Sequence, residues 1–545
     1  MVVCAHPLAA KAGVEILKKG GNAIDAAAAV QFALAVVYPE AGNIGGGGFM
    51  VLRMHNGEIN SLDFREKAPM KASRDMYLDK TGNVVPDLST KGLLSVGVPG
   101  SVDGMLQAHE KYGKLPWKDL LQPAIELAEK GFALTKLEAD SLNANREIFL
   151  KYNSVYLHDA LSSVPPLVCM SIHTGQTEGW HEGDTLIQKE LAETLKLIRD
   201  KGREGLYSGK TAKNLIQFMS ERGGMISYND LKNYESKWRE PIAGWYKGYK
   251  VISMPPPSSG GVALIQLLNI AESYPVKDFG FNTAQSIHLF AEAEKRVYAD
   301  RAQYLGDPDF VTVPVKQLLD SLYIISRMKD FSPDEAKPSS EIAAGSVVSK
   351  EKEQTTHFSI VDKWRNAVSV TTTLNGEYGS YCFGSGSGFL LNNEMDDFNS
   401  KPGAPNSYQL IGSSDANAIM PGKRMLSSMT PAIIEKDGKL FMVIGTPGGS
   451  KIITTVFQNI LNVTEFGMTM QEAVNAKKFH CQWKPDTVYI EERAFDSNTI
   501  AVLTKMGQHI VPRAPIGRSD CILVLPTGKL EGGADPRGED KAEGY

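Results

Sequence analysis

Residues 8–19 repeat apolar positions at helical spacing and stop at Gly20-Gly21, which predicts a first helix with a glycine terminus. The next run, Ala23–Val37, is the longest apolar stretch of the chain. It contains Asp25 and Gln31 and is too short to cross a bilayer, so it reads as a buried, alanine-rich helix. After the cluster Gly42-Asn-Ile-Gly-Gly-Gly-Gly48 come two alternating runs, 49–54 and 59–64, joined through Asn56-Gly57. Asn-Gly between such runs predicts a β-hairpin, because its tight turn needs positive φ at both central residues. From about 97 to 270 the pattern is mostly helical, as in 117–130 and 185–200. Within it, Pro255-Pro-Pro-Ser-Ser-Gly-Gly261 predicts a loop leading into a helix over 262–272.

Residues 331–354 are rich in Ser, Pro, Glu and Lys and show no period, which predicts an exposed, mobile linker. Directly after it the pattern turns to β. Residues 356–361 alternate, 363–366 turn, and 367–373 alternate again. A second hairpin is predicted from 432–435, the turn Asp437-Gly438, and 440–444. Helices over 452–463 and 470–477 and strands over 488–491 and 521–525 complete the reading. Hairpin-rich regions on either side of a helical block predict an α/β fold with β-sheets stacked between helical layers.

Charge narrows the partners. The 545 residues carry 58 basic and 63 acidic side chains, with no long run of one sign. That balance gives no reason to expect nucleic acid or an anionic membrane, and no membrane span is predicted. Five scattered cysteines (Cys4, Cys169, Cys382, Cys481, Cys521) form no C-x-x-C pair, and an odd number argues against a disulfide framework. Met1-Val-Val-Cys-Ala-His lacks the basic and apolar regions of a signal peptide, so either the protein is cytoplasmic or such a segment was trimmed.

Familiar catalytic templates fail. There is no phosphate-binding G-x-x-x-x-G-K-[ST] loop, and Gly45–Gly48 opens a strand rather than a helix. His181-Glu182 lacks the second histidine of a zinc site, and no G-x-S-x-G elbow occurs. The remaining feature is Gln354-Thr355-Thr356-His357-Phe358-Ser359, where the polar linker meets a strand. Two readings stand there. Threonine favours strands, so Thr355 can simply open one. Alternatively, cleavage before Thr355 would give its hydroxyl a base, the new α-amine, whose ordinary pKa of ~7.7–8.0 suits proton transfer near neutrality.

Thr355-Thr-His-Phe-Ser-Ile-Val-Asp362 closely resembles the start of the small subunit in the γ-glutamyltransferase family of N-terminal-nucleophile hydrolases, bacterial type. The resemblance extends through Ala41-Gly-Asn-Ile-Gly-Gly-Gly-Gly-Phe49, Asp63-Phe-Arg-Glu-Lys-Ala-Pro69, Pro257-Ser-Ser-Gly-Gly261 and Tyr298-Ala-Asp-Arg301. It continues in Leu391-Asn-Asn-Glu-Met-Asp-Asp-Phe398, Leu426-Ser-Ser-Met-Thr-Pro431 and Gly445-Thr-Pro-Gly-Gly449. It implies an αββα sandwich of two mainly antiparallel sheets. It also implies autocleavage between Gln354 and Thr355 into a large subunit, 1–354, and a small subunit, 355–545, interleaved in one domain as a heterodimer.

Thr355 would then be the nucleophile, oriented by Thr373, with Gly448 and Gly449 as the oxyanion hole. Arg65, Ser427 and Ser428 would bind the substrate α-carboxylate, while Asn375, Glu394 and Asp397 would hold its ammonium. Glu394 stands where some members carry Gln. Residues 402–413 resemble a lid loop with Tyr408 as its gate, which points to small γ-glutamyl donors such as glutathione and to amino acid or dipeptide acceptors. The resemblance implies no metal or organic cofactor, and a periplasmic or secreted location. The rival expectations are a related acylase or poly-γ-glutamate depolymerase, a non-catalytic homologue, and a cytoplasmic amidase of the same fold.

Overall fold

The structure, a computed structural model, describes residues 1–153, 179–345, 356–384, 386–401, 404, 407, 409–410 and 414–545. Gln354, Thr355, Tyr408, Cys169, the last part of the expected linker and most of the expected lid lie outside the described residues.

Two antiparallel sheets stack face to face. The first has seven strands, in the order Lys541–Glu543, Val2–Cys4, Thr356–Val361, Ala367–Thr373, Gly47–Arg53, Ile59–Asp63 and Lys237–Arg239. The second has six, in the order Leu530–Ala534, Asp520–Val524, Lys439–Ile444, Ala432–Lys436, Tyr249–Ser253 and Ile242–Tyr246. Strands from before residue 346 and from after residue 355 contribute to both sheets, so the described parts of these two stretches share one body.

Alternation along the central strands divides the core. In Gly47–Arg53, Met50 and Leu52 pack under the helices Pro7–Lys18 and Ala23–Val37, while Phe49 and Val51 enter the core between the sheets. Burial on both faces is why this strand carries a nearly continuous apolar run. The outer face of the second sheet is covered by the helices Gly260–Glu272, Ala284–Tyr304 and Lys451–Thr464. The helix Ala23–Val37 is wholly buried, and its two polar residues have local work. Asp25 completes a capping box with Asn22, and Gln31 Nε2 donates to Asn43 O at 2.8 Å.

The expected hairpins at 49–64, 356–373 and 432–444 all form. The described part of the stretch 97–270 is mostly helical, as expected, but Ile242–Tyr246 and Tyr249–Ser253 within it form a hairpin at one edge of the second sheet. Two expectations change. The helix expected from 185 begins at Lys189, and Thr185–Leu186 instead pairs with Phe132–Ala133. Residues 331–345, expected as the exposed start of a linker, lie against the body. Ser339 and Ile342 are buried, and Trp483 Nε1 donates to both of their carbonyls at 3.0 and 2.9 Å. Cys4, Cys382, Cys481 and Cys521 are buried free thiols.

Candidate active site

The first sheet presents its functional residues at strand ends. Gly46, just before the strand Gly47–Arg53, has no room for a side chain, since a Cβ there would collide with the carbonyl oxygen of Thr373. Glycine therefore lets the end of Ala367–Thr373 approach the Gly-rich loop. Thr373 Oγ1 accepts the backbone N–H of Asn375 at 2.7 Å. Asn375 sits at φ +72°, a left-handed conformation that asparagine tolerates better than most residues. Its Nδ2 donates to Asn393 O at 3.0 Å, which ties this turn to the 3₁₀ turn Glu394–Asp397. Asn392 braces the same turn: its Oδ1 accepts Glu394 N at 3.0 Å, and its Nδ2 donates to Gly45 O and Gly97 O at 2.8 Å each.

Arg65 follows the strand Ile59–Asp63 and is fully buried. Its guanidinium donates to both Glu394 and Asp397, and also to Met425 O at 3.3 Å and Leu426 O at 3.2 Å. Those carbonyls belong to the segment running into Ser427 and Ser428, so one arginine gathers the acidic turn and the serine pair. Sequence reasoning assigned Arg65 and the two acids to opposite ends of a ligand. In this structure they pair with each other, because a buried guanidinium and buried carboxylates neutralise one another at close range. Burial pushes the Asp397 carboxyl well up, with Arg65 opposing and Glu394 reinforcing the shift. Asp397 Oδ1 is buried and has no hydrogen-bond partner among the described residues.

The serine pair is held by residues the sequence analysis quoted without assigning a role. Ser259 donates to Ser427 O through its backbone N–H at 2.7 Å and through Oγ at 2.8 Å. Arg301, from the helix Ala284–Tyr304, donates to Ser428 Oγ and to Ser259 Oγ, the latter at 3.0 Å. Pro-Pro-Pro-Ser-Ser and an arginine some forty residues later carry no sequence signal of this contact, which exists only once the helix packs on the loop.

Gly448 and Gly449 join the strand Lys439–Ile444 to the helix Lys451–Thr464 at φ +136° and +64°. The helix start below them adds the partial positive charge of its unsatisfied N–H groups. Tyr298 donates from its hydroxyl to Ser450 O, and Ser450 Oγ donates to Gln482 Oε1 at 2.6 Å, anchoring this turn. Gly448 and Asn375 line a common cavity, which connects the two groups of residues.

Thr356, next in the chain after Thr355, opens its strand opposite Thr372. His357 is buried beneath this strand end, where its ring nitrogens lie 2.9 Å from Thr371 Oγ1 and 3.1 Å from Ser359 Oγ. Burial lowers its pKa to about 3, so it is a neutral packing group.

One set of metal-capable side chains occurs among the described residues: His6, Glu138 and Glu539. His6 Nδ1 accepts the N–H of Leu8, which leaves the proton on Nε2, 3.1 Å from Glu138 Oε1. With Nδ1 accepting, the ring is neutral, so His6 caps the first helix and meets Glu138 as a polar neighbour.

The profile of the Gamma-glutamyltranspeptidase family matches residues 9–545. The chain is 46% identical over 546 residues to the glutathione hydrolase proenzyme of Escherichia coli (strain K12), covering 100% of this chain and 92% of that one. A cephalosporin acylase structure from Bacillus halodurans superposes with a TM-score of 0.86 at 26% identity, over 100% of this chain and 96% of the other. The γ-glutamyltranspeptidase structure from Helicobacter pylori superposes with a TM-score of 0.59 at 47% identity, over 62% of this chain and 94% of that one. The stacked sheets between helical layers are thus the N-terminal-nucleophile hydrolase fold. The chain belongs to the γ-glutamyltranspeptidase family of enzymes.

Proposed function

We propose that this enzyme cleaves γ-glutamyl compounds such as glutathione by way of a γ-glutamyl ester on Thr355, and passes the group to water or to an amino acid or dipeptide. The observation that carries the reading is the buried cluster of Arg65, Glu394 and Asp397 beside Ser427 and Ser428. A γ-glutamyl group ends in an α-carboxylate and an α-ammonium. Such a zwitterion exchanges partners with the cluster: its carboxylate meets Arg65 and the serines, and its ammonium meets the acids and Asn375. Charge is conserved in the exchange, and Asp397 Oδ1 gains a donor.

Maturation comes first. The Thr355 hydroxyl adds to the Gln354 carbonyl, the peptide C–N bond breaks to release the Thr355 amine and leave an ester, and water hydrolyses that ester to a Gln354 carboxylate and the free Thr355 hydroxyl. Relatives at 45–48% identity are named proenzymes, which supports maturation by cleavage. In turnover, Thr355 Oγ attacks the γ-carbonyl while its own amine takes the proton and returns it to the departing nitrogen. Negative charge on the carbonyl oxygen is met by the backbone N–H groups at Gly448 and Gly449, and Thr373 orients the nucleophile. Water or an acceptor amine then attacks the ester. Family membership also supports a periplasmic or secreted location.

The rival acylase chemistry shares the nucleophile but needs no ammonium site. Release of p-nitroaniline from γ-glutamyl- and glutaryl-p-nitroanilide separates the two, since the glutaryl group lacks the ammonium. A preference of at least about tenfold in kcat/KM for the γ-glutamyl compound is expected from one charge-assisted contact. Equal or better cleavage of the glutaryl compound would overturn the reading.

A further inference from the structure

Ser427 and Ser428 are both at 0% exposure, and their hydroxyl oxygens are already committed as acceptors. Ser428 Oγ accepts from Arg301, and Ser427 Oγ accepts the backbone N–H of Met429 at 3.2 Å. A guanidinium and a backbone N–H are donors only, so neither can take a proton in return. Each serine must aim its own O–H elsewhere, and among the described residues neither O–H has an acceptor. A bound carboxylate, which only accepts, completes both.

Arg301 sets this polarity for Ser428, and its own position is well determined. It lies in the last turn of the helix Ala284–Tyr304, where the helix dipole favours a cation, and is 2% exposed. Its Nε donates to Ser259 Oγ at 3.0 Å, and Ser259 Oγ donates in turn to Ser427 O at 2.8 Å. One planar guanidinium therefore meets Ser428 directly and Ser427 through Ser259. Its central carbon lies 5.7 Å from the centre of the Tyr298 ring, three residues earlier on the same helix face and within cation–π range. Tyr298 is itself tied to Ser450 O. Thr430 Oγ1 donates to Ser428 O at 2.7 Å, which steadies the backbone that carries the hydroxyl. With Arg301 gone, Ser428 Oγ could accept as readily as donate, and its O–H would have no fixed direction.

Resting on the proposed function, we infer that Arg301 is a positioning residue for substrate selection: by filling the acceptor side of Ser428 Oγ, it turns the Ser428 O–H toward the α-carboxylate of the γ-glutamyl group. It acts through Ser428 rather than on the substrate.

The test uses the mature protein with Arg301→Met, Ser428→Ala and the double variant. The donors are γ-glutamyl-p-nitroanilide and 4-aminobutanoyl-p-nitroanilide, which keeps the amine and lacks the α-carboxylate. The unmutated protein is expected to favour the first by about a hundredfold or more in kcat/KM, because several charge-assisted contacts meet the carboxylate. Arg301→Met lowers that preference about tenfold, through the γ-glutamyl compound alone. In the Ser428→Ala background the same change costs less than about twofold, because the hydroxyl it orients is gone. Equal losses on both donors, or losses that multiply in the double variant, overturn the inference, since altered packing alone gives those results. Arg301→Lys keeps the charge but not the fork that spans Ser259 and Ser428, and it carries the same comparison where Arg301→Met does not fold. Failure of the underlying reading looks different. An unmutated protein that releases no p-nitroaniline, or that cleaves both donors equally, defeats the proposed function. An unmutated protein that discriminates while Arg301→Met discriminates equally well defeats only the role of Arg301.

Discussion

Replacing Asp397 with Asn separates binding from folding. Arg65, Glu394 and Asp397 are all at 0% exposure, and Glu66, also at 0%, lies 3.8 Å from the guanidinium, so three carboxylates share one guanidinium away from solvent. Burial already drives the Asp397 carboxyl toward its neutral form, and Glu394 adds to that. Asn keeps the shape, can still accept from Arg65 and removes one buried charge, so stability should not fall. Because the folded-state pKa is raised, the Asp contribution to stability is fully present below its unfolded value of ~3.9 and is lost as pH rises through the folded value. At neutral pH Asp397 therefore costs stability that Asn does not. Function should move the other way. The substrate ammonium loses one hydrogen bond to a charged partner, about 1.5–3 kcal/mol, which lowers kcat/KM roughly 10- to 150-fold. The assays are kcat/KM with a γ-glutamyl anilide and urea unfolding at neutral pH. A variant with kcat/KM within about twofold of the original but markedly lower stability would refute this account, leaving Asp397 a structural partner of Arg65.

Two further predictions follow from other parts of the site. At φ +136° Gly448 adopts backbone that side-chain-bearing residues avoid, yet a Cβ there would meet nothing nearer than Gly517 Cα at 3.5 Å. Gly448→Ala should therefore rotate the peptide rather than clash, lowering kcat about 100- to 1,000-fold with little change in KM; an unchanged kcat excludes this N–H from the reaction. Burial lowers the pKa of both His480 and His357 to about 3, against ~6.5 unfolded, so their stability contribution is complete above ~6.5 and is lost as pH falls toward 3. His480→Gln should flatten the stability–pH curve by about 1.4 kcal/mol per pH unit between about pH 6 and pH 4; equal slopes would show that His480 is protonated in the fold.

What the sequence made legible follows from where the physics is local. The hairpins at 49–64, 356–373 and 432–444 were readable because alternation and turn residues are short-range signals. The hairpin Ile242–Tyr246/Tyr249–Ser253 was missed, although Lys247-Gly248 turns it. It lies at a sheet edge, where Trp245 is 61% exposed and the outward positions are not consistently polar. In the candidate site, residue types were legible through family resemblance, but their partners were not. Arg65 pairing with Glu394 and Asp397 joins positions more than 300 residues apart. The grip of Arg301 on Ser428 likewise depends on a helix packing against a loop.

The central claim is that Thr355 cuts the chain and then carries the γ-glutamyl group. Intact-mass analysis of the purified protein and of Thr355→Ala, each before and after exposure to a γ-glutamyl donor at acid quench, tests it directly. The account predicts two chains, residues 1–354 and 355–545, with the donor's acyl group on the second, and a single uncut chain without adduct for the variant. An uncut 545-residue protein that still turns over the donor, or a variant that is cut and acylated, would contradict it.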